Sequence, residues 1–376
     1  MKSIKNRTVI VLGLGPSGLF LVRQIHKLTT KIYVIGRPDD VGMYSKYIDK
    51  NRRYYVSNYE GLMSAIKDVS TKAKEKPLLL ISSDQYLTQL LSNNVNWSEC
   101  VDLFGSDIST LRLINDKQRI VEFCESNNLM IPRSYTFVEF KALKEQPYPV
   151  IIKPNEKQLN PVKNPIGKIR LCRNSDDFNS LLTEMVNSSS DLNDFHIQNY
   201  IEGNNAQQYS VGGFYSEGKP LAEVVVNQIK QYPQGISAMV ITTDDDNSKQ
   251  VQSIAHVIVD KMSYSGFLEV EFKIDKNSNK AYILDVNPRP WGWVSVLGRA
   301  FKNFHVVFDN NAIKTPPLPV LWQSKLRRLM AFRNHNNANI KNDKTKFLKA
   351  YDIFDSNDMK PSFMIYVMAL RKLLKK

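Results

Sequence analysis

The sequence predicts an α/β protein, with a small doubly wound domain at the N-terminus and a larger mixed domain organised around a hairpin. Three observations predict it. A β-rich run at 8–12 passes through Gly13-Leu14-Gly15-Pro16-Ser17-Gly18 into a helical pattern at Leu19, Leu21, Val22 and Ile25. Apolar runs at 31–35 and 77–82 then alternate with helical stretches such as 85–91, the rhythm of βαβ units. Far downstream, two runs rich in Val, Ile, Phe and Tyr, 266–274 and 281–286, flank a polar turn at 275–280 and read as a hairpin.

Composition narrows the function classes. A chain of 376 residues has room for two or three domains with proper cores. No run is long enough to span a membrane, and the start lacks a signal-peptide pattern, so the expectation is a soluble protein. Cys100, Cys124 and Cys172 are odd in number and widely spaced, which argues against a disulfide framework or a zinc site and for a reducing cytoplasm. The net charge of +14 suits an anionic partner such as a nucleotide or an anionic membrane. No nucleic-acid motif accompanies the charge, so no specific nucleic acid is expected.

In chain order, the first turn comes first. Gly13, Gly15 and Gly18 permit a tight strand-to-helix turn, and the helix N-terminus offers N–H groups to an anion. Asp39 and Asp40 fall after Pro38, beyond where a ribose-binding acid belongs, which disfavours a dinucleotide. Two readings remain: a turn that closes a βα unit, or one that holds a substrate anion. Residues 1–112 form this first domain. Asn115-Asp116-Lys117 opens the next helix, with Asp116 or Asn115 as N-cap. The run 148–154 is a strand ending in Lys153, and 195–203 a strand with a polar end. Strands at 208–215 and 220–229, a loop at 233–237 and a helix at 253–263 lead into the hairpin.

Within the hairpin, Glu271 lies late in the first run and Asp285 late in the second, so antiparallel pairing brings the carboxylates side by side. Asn287 adds a hard oxygen and Arg289 a fixed cation. Two carboxylates and an amide oxygen suit Mg²⁺, or Mn²⁺ in its place, bound together with phosphates. A nearby cation suits an anionic transition state. Asp285 sits between Leu284 and Val286 and needs a partner there. The plain alternative is a surface hairpin with ordinary acidic residues.

Glu271 followed by Asp285-Val286-Asn287-Pro288-Arg289 resembles the metal-binding segment of the ATP-grasp superfamily, usually Glu then Glu-x-Asn-Pro-Arg. The Asp at 285 is a departure that shortens the reach by one methylene. Pro290-Trp291-Gly292 is similar to the variant found in ATP-grasp carboxylate–amine ligases. The resemblance covers about 115–292 and implies an ATP-grasp fold behind a Rossmann-like domain. It implies that Lys117 touches the ATP phosphates and that Lys153 binds the α- and β-phosphates. Gln198-Asn199-Tyr200-Ile201 is similar to the adenine hinge, with Asn199 replacing a Glu; backbone groups at Tyr200 and Ile201 would read the adenine. The ribose contact would fall between Asn204 and Gln207. The usual Gly-rich flap is replaced by 155–168, which holds only Gly167 and would close through Lys157, Lys163 or Lys168. Lys230, Gly235 and Ser237 become substrate candidates, as do Gly13, Gly15 and Gly18.

The tail completes the reading. Pro316-Pro317-Leu318-Pro319 reads as a rigid linker. Residues 320–376 carry 13 Lys or Arg against 4 Asp, a net of +9 and most of the protein's positive charge. The stretch 355–363 resembles the tail of ligases encoded with surface-polysaccharide pathways, although of the usual Asp-Pro-x-Pro only a Pro survives. Residues 363–370 are apolar nearly all round, which fits either a helix packed on the body or one lying on a membrane surface.

The expected domains are thus 1–112, 113–315 with a lid at about 132–200, and a basic segment 316–376 ending in an amphipathic helix. The resemblance implies an ATP- and Mg²⁺-dependent carboxylate–amine ligase working through an acyl phosphate, with Arg289 and Lys153 catalytic. Its substrates would be small or lipid-linked carboxylates and amines, and its place the cytoplasm or the inner face of the membrane, as a monomer or homodimer. The rival is a nucleotide-binding regulatory or assembly protein with a degenerate site.

Overall fold

The computed structural model describes residues 2–93, 97–154, 166, 169–331 and 347–374. Strands β1 (Val9–Leu12), β2 (Ile32–Gly36), β3 (Arg53–Tyr55), β4 (Leu78–Ile81) and β5 (Asp102–Leu103) form a parallel sheet in the order β3-β2-β1-β4-β5. The central strands read VIVL and LLLI, apolar on both faces, because helices cover both. Val9 and Val11 meet α1 (Pro16–Ile25), while Ile10 and Leu12 meet α2 (Tyr59–Lys72). Helix α3 (Asp84–Ser92) follows β4, and α4 (Ile108–Asn115) leaves the domain.

Helix α5 (Lys117–Ser126) starts where Asp116 accepts hydrogen bonds from the Gln118 and Arg119 amides, as the N-cap reading requires. A four-stranded antiparallel sheet comes next: β6 (Ser134–Tyr135), β7 (Val150–Pro154), β8 (Arg170–Cys172) and β9 (Phe195–Asn199), in the order β6-β9-β7-β8. With α6 (Phe137–Ala142) and α7 (Ser175–Asn187) it closes a core of its own around Phe140, Phe178 and Phe195.

The third sheet has seven strands: β10 (Gln208–Ser216), β11 (Lys219–Gln231), β12 (Ser237–Thr242), β13 (Gly266–Ile274), β14 (Ala281–Asn287), β15 (Val320–Gln323) and β16 (Leu348–Tyr351). Their order is β14-β13-β10-β11-β12-β15-β16. Helix α8 (Asp246–Lys261) packs on one face through Val251, Ala255 and Ile258. It begins seven residues earlier than the apolar pattern predicted, because Asp245 caps a polar first turn through the Ser248 amide. The other face, joined by α9 (Ser295–Ala300), shares a core with the first sheet. In that core Phe267 meets Trp291 as well as Phe214 and Phe304, and Gly212 has no room for a side chain: a Cβ there would lie 2.2 Å from the Trp291 ring.

The described residues of the basic segment 316–376 join the rest of the fold. Its prolines lead straight into β15, and β15 and β16 extend the large sheet. Helix α10 (Lys325–Ala331) follows β15, and α11 (Met359–Leu374) docks on the first domain. Just before α11, the fully buried Asp358 accepts from Arg23 Nε at 3.0 Å, Ser45 Oγ at 2.8 Å and the Lys46 amide at 3.0 Å.

Candidate active site

A cleft of about 2250 Å³ runs between the four-stranded sheet and strands β11, β13 and β14, with the start of α5 on its rim. The hairpin register sets Glu271 opposite Asp285, and a bulge at the next position bends the strand there. Both carboxylates lie on the cleft wall. Lys117 reaches across from α5 and pairs with Asp285, supplying the partner that a carboxylate in an apolar strand needs.

On the opposite wall, Lys153 Nζ donates to Gln198 Oε1 at 2.8 Å. The β7–β9 register puts His196 beside Lys153. Burial first, and then the charges of Lys153 and Lys117, push the imidazole down to about 4, so it is neutral at pH 7. Gln198, Asn199, Tyr200, Ile201 and Asn204 also line the cleft. Of the backbone groups at Tyr200 and Ile201 expected to read the adenine edge, the Tyr200 amide donates to the Pro149 carbonyl at 3.1 Å. It is therefore not open to a base. Asn204 and Gln207 cap a short turn reciprocally, and Gln207 lies off the wall. Lys230 and Gly235 are on the wall; Ser237 is not, and its hydroxyl accepts from Gln228 Nε2 at 2.8 Å.

Two expected residues are placed differently. Asn287 is buried and off the cleft wall: its Nδ2 donates to Glu269 Oε2 at 3.2 Å and to Glu271 Oε1 at 3.4 Å, and its Oδ1 accepts from Arg289 Nη2 at 3.3 Å. Arg289 stands behind the carboxylates. Its Nε pairs with Asp84 at the start of α3, and its Nη1 donates to the Pro290 carbonyl. Burial opposes the guanidinium's charge, but Asp84, then Glu269 and Asp285, outweigh it and hold its pKa above the ordinary value.

A carboxylate of the chain itself lies at the glycine turn. Asp40 Oδ2 accepts from the Leu14 amide at 3.1 Å and from the Arg37 amide at 3.0 Å. Gly13 sits at φ +87° against Ser82 and Ser83, and Gly18 packs on the Gly13 carbonyl. Gly13, Gly15 and Gly18 all lie outside the cleft lining.

For a divalent cation, Glu271 and Asp285 offer hard oxygens on one wall, with Lys117 beside them and Lys153 on the other wall, a set that fits Mg²⁺ held jointly with phosphates. Among the described residues no three His, Cys, Asp or Glu side chains gather into a metal cage. Mg²⁺ rarely needs one, since one or two carboxylates plus phosphate oxygens suffice. The flap residues Lys157, Lys163, Gly167 and Lys168 lie outside the described residues.

Sequence reasoning passed over Asp84, His196, Glu269 and Lys273. Buried Lys273 Nζ donates to the Asn204 carbonyl at 2.7 Å, and burial pushes its ammonium down to about 8. A signal existed for two of the four: Glu269, Glu271 and Lys273 alternate along one strand and so share a face.

No protein-family model and no curated protein matches this chain. Solved structures do. An N5-carboxyaminoimidazole ribonucleotide synthetase in complex with ADP aligns at TM-score 0.65 and 14% identity, over 85% of this chain and 82% of that one. An L-amino acid ligase from Bacillus licheniformis aligns at TM-score 0.61 and 13% identity, over 84% and 75%. The biotin carboxylase domain of Hydrogenobacter thermophilus 2-oxoglutarate carboxylase, with MgADP and bicarbonate, aligns at TM-score 0.60 and 14% identity, over 83% and 72%. With its three sheets in this arrangement, the chain has the ATP-grasp fold behind an N-terminal Rossmann-like domain, and it resembles these three enzymes in fold.

Proposed function

We propose that the protein is an ATP-dependent carboxylate–amine ligase that forms an amide or peptide bond through an acyl phosphate. The observation that carries this reading is the facing of Glu271 and Asp285 in one cleft with Lys117 and Lys153. Lys153, braced on Gln198, is placed to hold the α- and β-phosphates, and Lys117 to exchange Asp285 for a phosphate oxygen. Mg²⁺ held by Glu271 and Asp285 would offset the negative charge of the phosphate oxygens. A substrate carboxylate attacks the γ-phosphorus, ADP leaves, and an amine then displaces phosphate from the acyl carbon. Neutral His196 takes no charge away from the phosphates. Arg289, held by Asp84 behind Asn287, adds a fixed positive field to the site rather than a contact at the cleft wall. No protein nucleophile is required. The three unpaired cysteines support a reducing, cytoplasmic setting.

A second reading, a nucleotide-binding regulator, draws on the same details: Lys117 occupies Asp285, and Arg289 stands off the cleft. ADP release measured with mixed amino acids and sugar acids separates the two. The ligase sustains ADP release over many turnovers only with both an acid and an amine, and Asp285→Asn abolishes that turnover while the fold persists. Nucleotide binding without any substrate-dependent release would favour the regulator.

A further inference from the structure

The terminal helix α11 has two apolar faces, and the fold covers only one. Ile365 and Met368 pack on Leu19, Val41 and Ile353. Met359, Phe363, Tyr366 and Leu370 face outward, with 50%, 67%, 48% and 58% of their surface exposed. Their spacing of four, three and four residues makes one continuous stripe. Scattered exposed apolar residues mean little, but among the described residues four of the twelve large ones lie on this one stripe.

Charge decides what covers the stripe. Residues 359–376 contain Lys360, Arg371, Lys372, Lys375 and Lys376 and no Asp or Glu. Lys360 and Arg371 are exposed. A second copy of the helix laid on this face would bring two wholly basic segments together, and their repulsion opposes that pairing. An anionic bilayer satisfies both chemistries: the apolar side chains enter the boundary between headgroups and acyl chains, and the cations meet lipid phosphates. The helix is also held ready. Asp358, bonded to Arg23, Ser45 and the Lys46 amide, fixes its start on the first domain, so the stripe is presented without any unfolding. Among the described residues no helix is long and apolar enough to cross a membrane, so the contact is peripheral.

We propose that the outer face of α11 docks the protein on an anionic lipid surface. The test is co-sedimentation of the full-length chain with vesicles of phosphatidylcholine alone or mixed with phosphatidylglycerol. Binding is expected only to the mixed vesicles and should fall as salt is raised. The double substitution Phe363→Ser and Leu370→Ser should weaken it by at least about tenfold and leave the melting temperature unchanged, because both side chains are exposed. Lys360→Glu with Arg371→Glu should abolish it in the same way. Equal binding by wild type and both variants, or no binding by wild type at low salt, would overturn the proposal. So would a monomer–dimer equilibrium in sedimentation velocity that the serine variant abolishes, which would assign the stripe to a second copy.

Discussion

Replacing Lys117 by Met should move two affinities in opposite directions. The Lys117 ammonium pairs with Asp285, and the two side chains are 35% and 21% exposed. Unit charges about 4 Å apart near a protein surface attract by about 4 kcal/mol. Partial exposure, and the ordering of a long side chain, reduce the net to about 1–1.5 kcal/mol. A divalent cation approaching Asp285 must overcome that pairing. Without the ammonium, Mn²⁺ should bind about tenfold more tightly in the absence of nucleotide. The same substitution removes a charge-assisted phosphate contact of about 1.5–3 kcal/mol, so ATP should bind some 10- to 100-fold more weakly. Electron paramagnetic resonance of Mn²⁺ titrations measures the first effect and calorimetry with ATP the second. A folded variant with unchanged or weaker Mn²⁺ binding would refute the view that Lys117 stands in for the metal's charge. Unchanged ATP binding would remove Lys117 from the phosphate site.

Further outcomes follow from other contacts. Asp84→Asn strips a buried guanidinium of its charged partner and should cost about 3–5 kcal/mol in urea unfolding; a loss below about 1 kcal/mol would mean that Asn287 and the Pro290 carbonyl hold Arg289 unaided. Gly212→Ala drives a methyl into the Trp291 ring and should destabilise by about 1–3 kcal/mol, visible as a lower melting temperature. His256 Nε2 lies 2.9 Å from Glu223 Oε1, and that bond raises the imidazole's pKa. A raised folded-state pKa stabilises the fold fully below pH 6.5 and progressively less as pH rises through the folded value. His256→Gln should therefore be less stable than wild type, by roughly 0.5 kcal/mol for this part-exposed pair, in acid only; a gap that widens with pH would contradict the assignment.

The hairpin was legible because two apolar runs flank a polar turn; its carboxylates lie four and five residues from that turn, and a one-residue bulge takes up the difference and sets Glu271 opposite Asp285. The strand ending in Lys153 and the cap at Asp116 were legible for similar local reasons. What depends on distant parts of the chain was not legible. At the glycine turn, Asp40 folds back across 26 residues to accept from the Leu14 amide. Arg289 is held by Asp84, 205 positions away. Strands β15 and β16 are four residues each, too short for periodicity to separate them from a basic tail, and their pairing with each other is parallel and non-local. The start of α8 was missed because its first turn, Asp246 to Lys249, is wholly polar.

The division of the cores has a consequence for how the chain comes apart. The four-stranded sheet keeps Phe140, Phe178 and Phe195 to itself, whereas the first and third sheets divide one core between them through Val9, Phe20, Phe214 and Trp291. Native-state hydrogen exchange should therefore find two cooperative units rather than three. The four-stranded unit can detach and reclose without exposing the aromatic cluster beneath the hairpin. The Rossmann-like domain cannot be excised, because its removal would strip Trp291 and Phe214 of their cover. Swapping it for a homologous domain would require α1 and the strands carrying Glu271 to be exchanged as a single piece.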